Sequence, residues 1–336
     1  MSFGRRAGKM AITVAMAGDT MLGRGVAEQL RSSPLPSTLF CPEILAAVAE
    51  ADLFVLNLEC CVSDGGERWQ HPGKPFFFRA PSSTAGLLAE CGVDCVTLAN
   101  NHALDYGFDA LADTRTLLDR AGVRAVGVGA DLRAAREFAV LEAGGVRVAV
   151  VGATDHPEDF AADDDRPGVA YADLGRGVPG WLTDLVAQAA ATADVVLVTP
   201  HWGPNMTLRP PHYVLRSAPQ LLEAGATLVA GHSAHVFHGV ADRVIYDMGD
   251  FVDDYAVDPV LRNDHGLLFL VTLDGPDPAH TVPIRLEAIP LFLDYCHTRL
   301  ARGKEWDWIR ERFTAACAEL GTAVTEWGGR LRVEWQ

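Results

Sequence analysis

Lysine is nearly missing from this 336-residue chain: it occurs only at Lys9, Lys74 and Lys304, so arginine carries almost all the positive charge. That usage, like the richness in Ala and Gly, reads as genome composition rather than function. Positive charge is scarce altogether, with 28 basic against 44 acidic side chains and a net charge of −16. Without clusters of Lys and Arg there is little to neutralise a phosphate backbone, which excludes a nucleic-acid binder. The same balance argues against docking on an anionic membrane and suits the binding of cations. Long hydrophobic runs are also absent. None approaches the roughly 18 apolar residues of a membrane span, and "AITVAMAG", after the basic start, is too short for an export signal. The seven cysteines form no framework, since Cys60-Cys61 and the Cys91/Cys95 pair fit neither a zinc knuckle nor a disulfide scaffold. A soluble, cytoplasmic protein with reduced core thiols is expected, with no membrane and no nucleic-acid partner.

What is present is a regular alternation. Short apolar runs rich in β-branched residues stand at 11–18, 53–59, 93–100, 123–129, 146–154, 194–201, 226–232, 243–250, 267–273 and 281–289. Between them, "APSSTAGLLAECG", "GFDALADTRTLLDRAG", "GWLTDLVAQAAATA" and "HYVLRSAPQLLEAG" carry helical spacing, three of them closing on Gly. Pro219 should kink the last. Near-continuous apolar strands separated by helices predict an α/β architecture with strands buried on both faces. After residue 290 the pattern changes to an amphipathic helix, "GKEWDWIRERFTAACAELGT", and a short strand, "RLRVEW". Residues 291–336 are therefore expected as an extension packed on a main domain of residues 10–290. The acidic stretch "DHPEDFAADDDRPG" reads as a solvated loop, or alternatively as an active-site flap.

Most of the apolar runs end in polar residues. They are Asp19 and Arg24 in "GDTMLGR"; Asn57 and Glu59 in "NLE"; Asn100, Asn101, His102 and Asp105 in "ANNHALDYG"; His201 in "PHWGPN"; His232, His235 and His238 in "GHSAHVFH"; and Asp247, Asp250, Asp253 and Asp254 in "YDMGDFVDDY". Ligands of open α/β sheets bind beyond the carboxyl ends of the strands, so these clusters can converge. One such cluster is no more than a capped turn. Six, each supplying Asp, Glu, Asn or His, make a donor set suited to a metal ion.

The ordered series "GDTMLGR … NLE … ANNHALDYG … HWG … GHSAHV … GDF" resembles the CapA-like (poly-γ-glutamate capsule synthesis) family of the calcineurin-like metallophosphoesterase superfamily, over about residues 10–290. The resemblance implies a four-layer α/β/β/α sandwich of two mixed sheets with a metal site at one edge. It implies Asp19, Glu59, Asn101, His201, His232 and His235 as metal ligands and His102 as the acid/base histidine, and leaves His238 structural. The chain also departs from the pattern. Met21 stands where the phosphoesterases have a ligating His, the late pair is His-x-x-His, Gly249-Asp250-Phe251 replaces Gly-Asn-Phe, and Pro204-Asn205 follows "HWG" in place of an acidic residue. Those changes point to one divalent cation, Ca²⁺ or Mn²⁺ ahead of Zn²⁺.

The favoured reading of this altered centre is Cα epimerisation of a residue in a peptide. The chain is similar to a CapA-like branch of epimerases acting on ribosomally made (lasso-type) precursors. Epimerisation needs one acid/base group on each face of the Cα. His102 with Asp105, and His235 near Asp19 or Asp250, supply candidates, with His297 in reserve. Arg24, Lys74, Arg79 and Trp202 are the candidate substrate contacts, beside the aromatic run in "HPGKPFFFRAP". A metal-dependent hydrolase is the runner-up, and a non-enzymatic capsule-assembly protein the third reading.

Overall fold

The computed structural model describes residues 11–70 and 74–335; within "HPGKPFFFRAP", residues 71–73 lie outside them. Two sheets face each other. The larger has ten strands, and its central strand Ile12–Thr20 pairs in parallel with Leu53–Leu58, which continues to Cys95–Thr97 and Arg124–Val126. On its other side Ile12–Thr20 pairs antiparallel with His265–Asp274, which pairs in turn with Val282–Leu293. The second sheet has six strands, with Val146–Thr154, Val195–His201, Leu228–Ala230 and Val244–Ile245 running parallel.

Three apolar layers fill the spaces. Strand residues alternate faces, so Val14, Met16, Phe269 and Val271 of the first sheet meet Val148, Val150, Leu197 and Ile245 of the second. The opposite face, with Ala15, Phe54 and Leu270, is covered by Arg24–Ser32, Pro42–Val48, Thr84–Glu90 and Gly107–Arg120. Val151, Val196, Val198 and Val229 on the outer face of the second sheet lie under Gly180–Thr192 and His212–Glu223. This is the four-layer α/β/β/α sandwich that the family resemblance implies. Pro219 stands inside the His212–Glu223 helix, where it removes one backbone donor.

The division expected after residue 290 falls inside the continuous Val282–Leu293 strand. Arg330–Glu334 pairs with that strand, and the Lys304–Glu319 helix buries Ile309, Phe313 and Cys317 in the layer between the sheets. Several short strands lie outside the apolar runs of the sequence, and one five-residue strand does too. Ala139–Ala143 alternates buried and exposed residues and forms a hairpin with Val146–Thr154. No described helix is long and apolar enough to cross a membrane.

Candidate metal centre

The parallel strands of both sheets point their carboxyl ends to one edge, and the polar residues gather there. Asp19 is turned inward by a register shift between Ala17 and Asp19, next to the close passage of Gly249. A Cβ on Gly18 would lie 1.9 Å from the Gly249 carbonyl oxygen, so only glycine fits beside this aspartate. A relay of amides fixes Asp19: Asn57 Nδ2 donates to its Oδ1 (2.7 Å), and Asn100 Nδ2 donates to Asn57 Oδ1 (2.9 Å). Asn100 Oδ1 then accepts from the His102 backbone N–H (3.0 Å). Glu59 follows the Leu53–Leu58 strand and is completely buried.

His102 and Asp105 form a dyad. His102 Nδ1 lies 2.7 Å from Asp105 Oδ2, which also accepts from the Phe78 N–H (2.6 Å). Lys74 Nζ sits 2.9 Å from Asp105 Oδ1 and donates to the Asn101 carbonyl (2.8 Å). A carboxylate only accepts, so Nδ1 carries the hydrogen and Nε2 is left free. That Nε2 is 4.0 Å from Glu59 Oε1, and the Phe78 ring stacks on the imidazole at 4.0 Å. Burial lowers the pKa of His102 despite the opposing field of Asp105.

The second sheet brings the other histidines. His201 ends the Val195–His201 strand, and its Nδ1 lies 2.9 Å from His232 Nδ1; His232 Nδ1 is 3.5 Å from Asp19 Oδ1. His235 sits on a turn in which Ser233 (φ 120°) and His235 (φ 60°) both take left-handed backbone. Asp247 holds that turn by accepting from the Ala234 and Gly249 N–H groups (2.9 and 2.8 Å). His235 Nδ1 is thereby placed 2.8 Å from Asp250 Oδ1 and 3.3 Å from Asp19 Oδ2.

Two tight sets of donors result: Asp19, His201 and His232; and Asp19, Glu59, His235 and Asp250. Asp19 belongs to both. Buried polar atoms normally find partners, yet Asp19 Oδ2, Glu59 Oε1, Asn101 Oδ1, Asp250 Oδ2 and His201 Nε2 are buried with no hydrogen bond. Burial and the nearby Asp19 raise the pKa of Glu59 well above the ordinary range, and burial with Asp253 does the same for Asp250. Asp253 is pushed up to about 6, chiefly by burial. Burial and the facing His232 lower His201 strongly. Divalent cations answer each of these conditions, neutralising the carboxylates and using the imidazole lone pairs. The donors fit such ions, and the two sets exceed the single cation that the motif departures suggest.

Several sequence-derived assignments are corrected or narrowed. Trp202 is no substrate contact: it is 2% exposed in the outer core layer, and its indole N–H donates to the Tyr246 carbonyl (2.8 Å) across Gly231. Arg79 lies outside the cluster, donating to the Gly65 carbonyl (2.6 Å) with its guanidinium over Tyr106. His297 bonds the Thr38 carbonyl (3.1 Å) and joins neither donor set. Lys74 is engaged with Asp105, which makes it a support of the dyad. Arg24 does stand at the rim, paired with Asp254 and lying over Phe78 (5.0 Å) and Tyr255 (5.3 Å). His238 is buried, bonded to the Thr207 carbonyl, with its pKa brought down to about 4 by burial. Asn57, Asn100 and Asp247, read in the sequence as members of the polar strand-end clusters, act by orienting their neighbours, and the Tyr255 hydroxyl lies 3.3 Å from Glu59 Oε2. Sequence spacing does not single out Asp155 and His156, which adjoin His201.

A family model described as bacterial capsule synthesis protein PGA_cap matches residues 13–255. The chain belongs to that family. It is 30% identical to a "Probable polyglutamine synthesis accessory protein" of Mycobacterium tuberculosis over 364 residues, covering 93% of each chain. It is 27% identical to the PGA biosynthesis protein CapA of Bacillus subtilis over 72% of this chain and 63% of that one. A crystal structure of a hypothetical protein from Thermus thermophilus is similar at 16% identity and a TM-score of 0.45, over 84% of this chain and 100% of that one. Asp19, Glu59, His201, His232 and His235, the candidate ligands from the resemblance, lie within these two donor sets. Asn101 brings a buried, unpartnered side-chain oxygen.

Proposed function

We propose that this capsule-synthesis-family protein is a metal-dependent acid/base enzyme that hydrolyses an amide of a peptide or glutamyl polymer. One observation carries the reading: two buried, partly unpaired donor sets meet at Asp19 beside His102, whose free Nε2 faces Glu59. Depletion of a two-ion centre is the argument against hydrolysis, and the sharing of Asp19 answers it. Bound divalent cations would acidify a water and polarise the carbonyl under attack. The chain's own groups do the rest. Asp105 holds the hydrogen on His102 Nδ1, so the free Nε2 is the atom that would take a proton from the water and pass it to a departing amine. Lys74 and the Phe78 N–H fix Asp105, and the stacked Phe78 ring keeps water off one face of the imidazole. The glutamyl part of the substrate rests on the names of the relatives. A chain of net charge −16 needs cations to receive such an anionic polymer.

Cα epimerisation of a ribosomally made peptide is the second reading. It is favoured by one feature, a second imidazole–carboxylate pair, His235 with Asp250, in the same cluster as His102–Asp105. Incubating poly-γ-glutamate and model peptides with the Mn²⁺-loaded protein in D₂O separates the two. New amine ends without Cα deuterium support hydrolysis; deuterium at one Cα in an intact chain transfers the assignment to epimerisation. Neither change, with every substrate tried, would leave a non-enzymatic role in polymer assembly.

A further inference from the structure

One pair beside the metal centre has no part in either donor set. Thr154, the last residue of its strand, pairs in register with His201, and Asp155 and His156 follow it. Asp155 is fully engaged: its Oδ2 accepts from the Gly203 N–H (3.0 Å) and the Tyr213 hydroxyl (2.8 Å), and its Oδ1 bonds His156 Nδ1. Nδ1 being committed, Nε2 is the remaining ligand atom of His156, on a side chain that is 33% exposed. The ring centres of His156 and His201 are 5.0 Å apart, and those of His201 and His232 are 4.9 Å apart. Two imidazoles on one tetrahedral ion have ring centres about 5 Å apart, given metal–nitrogen bonds of about 2.0–2.1 Å. Ligating histidines also give their other ring N–H to a carboxylate, which fixes the tautomer and the ring's direction. Asp155–His156 has that form.

We propose that His156 is the outer ligand of the Asp19–His201–His232 set, turning its Nε2 inward when a cation binds. The inference rests on the metal-dependent reading above. The tight set as it stands holds Asp19, His201 and His232; His156 flanks it on a loop, where a small shift of the partly exposed ring, with Nδ1 still on Asp155, brings Nε2 to the ion. Three imidazoles and one carboxylate make a nitrogen-rich site suited to Zn²⁺ or Co²⁺. The Asp19–Glu59–His235–Asp250 set is oxygen-rich and suits a harder ion such as Mn²⁺ or Ca²⁺. The two sets would then differ in preference, with His156 setting the difference.

Titration of the chelator-stripped full chain with Co²⁺, followed by visible absorption and calorimetry, tests this on the unaltered protein, His156→Ala and His156→Cys. His156→Ala should weaken one class of Co²⁺ site by at least about tenfold and leave the other unchanged. His156→Cys should restore that class and add a thiolate-to-cobalt charge-transfer band, which appears only if residue 156 touches the ion. Unchanged Co²⁺ uptake by His156→Ala, with no such band for His156→Cys, overturns this assignment alone. If the unaltered chain takes up no Co²⁺, both the assignment and the metal-dependent reading fall.

Discussion

His201 and His232 present their Nδ1 atoms to each other at 2.9 Å, both rings buried and both close to Asp19. Only one of the two nitrogens can carry a hydrogen in that contact, and burial resists charging His201. A cation between the rings and the carboxylate relieves the whole arrangement. Chelation should therefore lower the melting temperature by several degrees, reversibly, since a ligand at about 1,000 times its Kd stabilises by about 4 kcal/mol. Identical melting curves with EDTA and with Mn²⁺ would contradict a cation at this edge.

Cation uptake should release protons. Glu59 and Asp250 have raised pKa values through burial and neighbouring carboxylates, and Asp253 sits at about 6. Burial opposes the charging of His235, but Glu59 and Asp19 overcome it and raise its pKa. Protons on these groups compete with the ion, so affinity should fall as pH drops from about 7.5 to about 5. Calorimetry in two buffers of different ionisation enthalpy reads the released protons directly, and buffer-independent heats would refute the linkage.

His102→Gln should reduce kcat by about 10²–10⁴-fold and leave the fold intact. Asp105→Asn should reduce it by a comparable factor, and the double variant should be little worse than the more damaging single one, because the pair acts as a unit. Multiplicative losses in the double variant would show that the two residues work independently.

Asp247→Ala removes the acceptor that holds the turn at residues 233–235 in its left-handed conformation. Such backbone costs about 1–3 kcal/mol per residue unless its surroundings impose it. Cation affinity should fall by about 10–100-fold, the usual effect of losing a group that orients ligands. An undiminished affinity would mean that the turn holds itself.

Trp202→Phe tests whether that residue serves the core rather than a substrate. It leaves the Tyr246 carbonyl without its buried indole donor, so stability should drop by about 1–3 kcal/mol in a denaturant titration. The KM for any substrate found should not move. A raised KM at unchanged stability would return Trp202 to the substrate site.

The α/β alternation and the polar strand ends were legible in the sequence because both follow from local rules, whereas the four-layer order and the ligand set came from the family resemblance. A strand buried on both faces must be apolar along its length, and its carboxyl end is where polar residues can begin; Asp19, Glu59, His201 and His232 stand at those ends. Tertiary structure decided what the same side chains do next. Phe78 and Arg79 are neighbours in sequence, yet Phe78 covers His102 while Arg79 bonds a surface carbonyl, since adjacent extended residues face opposite ways. Trp202 adjoins a candidate ligand in the chain but points into the core under the outer helices. Asp247 is one of several acidic residues until its two backbone hydrogen bonds are seen, and His156 was hidden in an acidic loop until the pairing of Thr154 with His201 carried it to the metal centre. Composition and spacing fix which groups a chain can bring to a strand end. Their direction, their partners and the sharing of Asp19 between two donor sets depend on contacts between residues as far apart as Asp19 and Asp250, which no local pattern encodes.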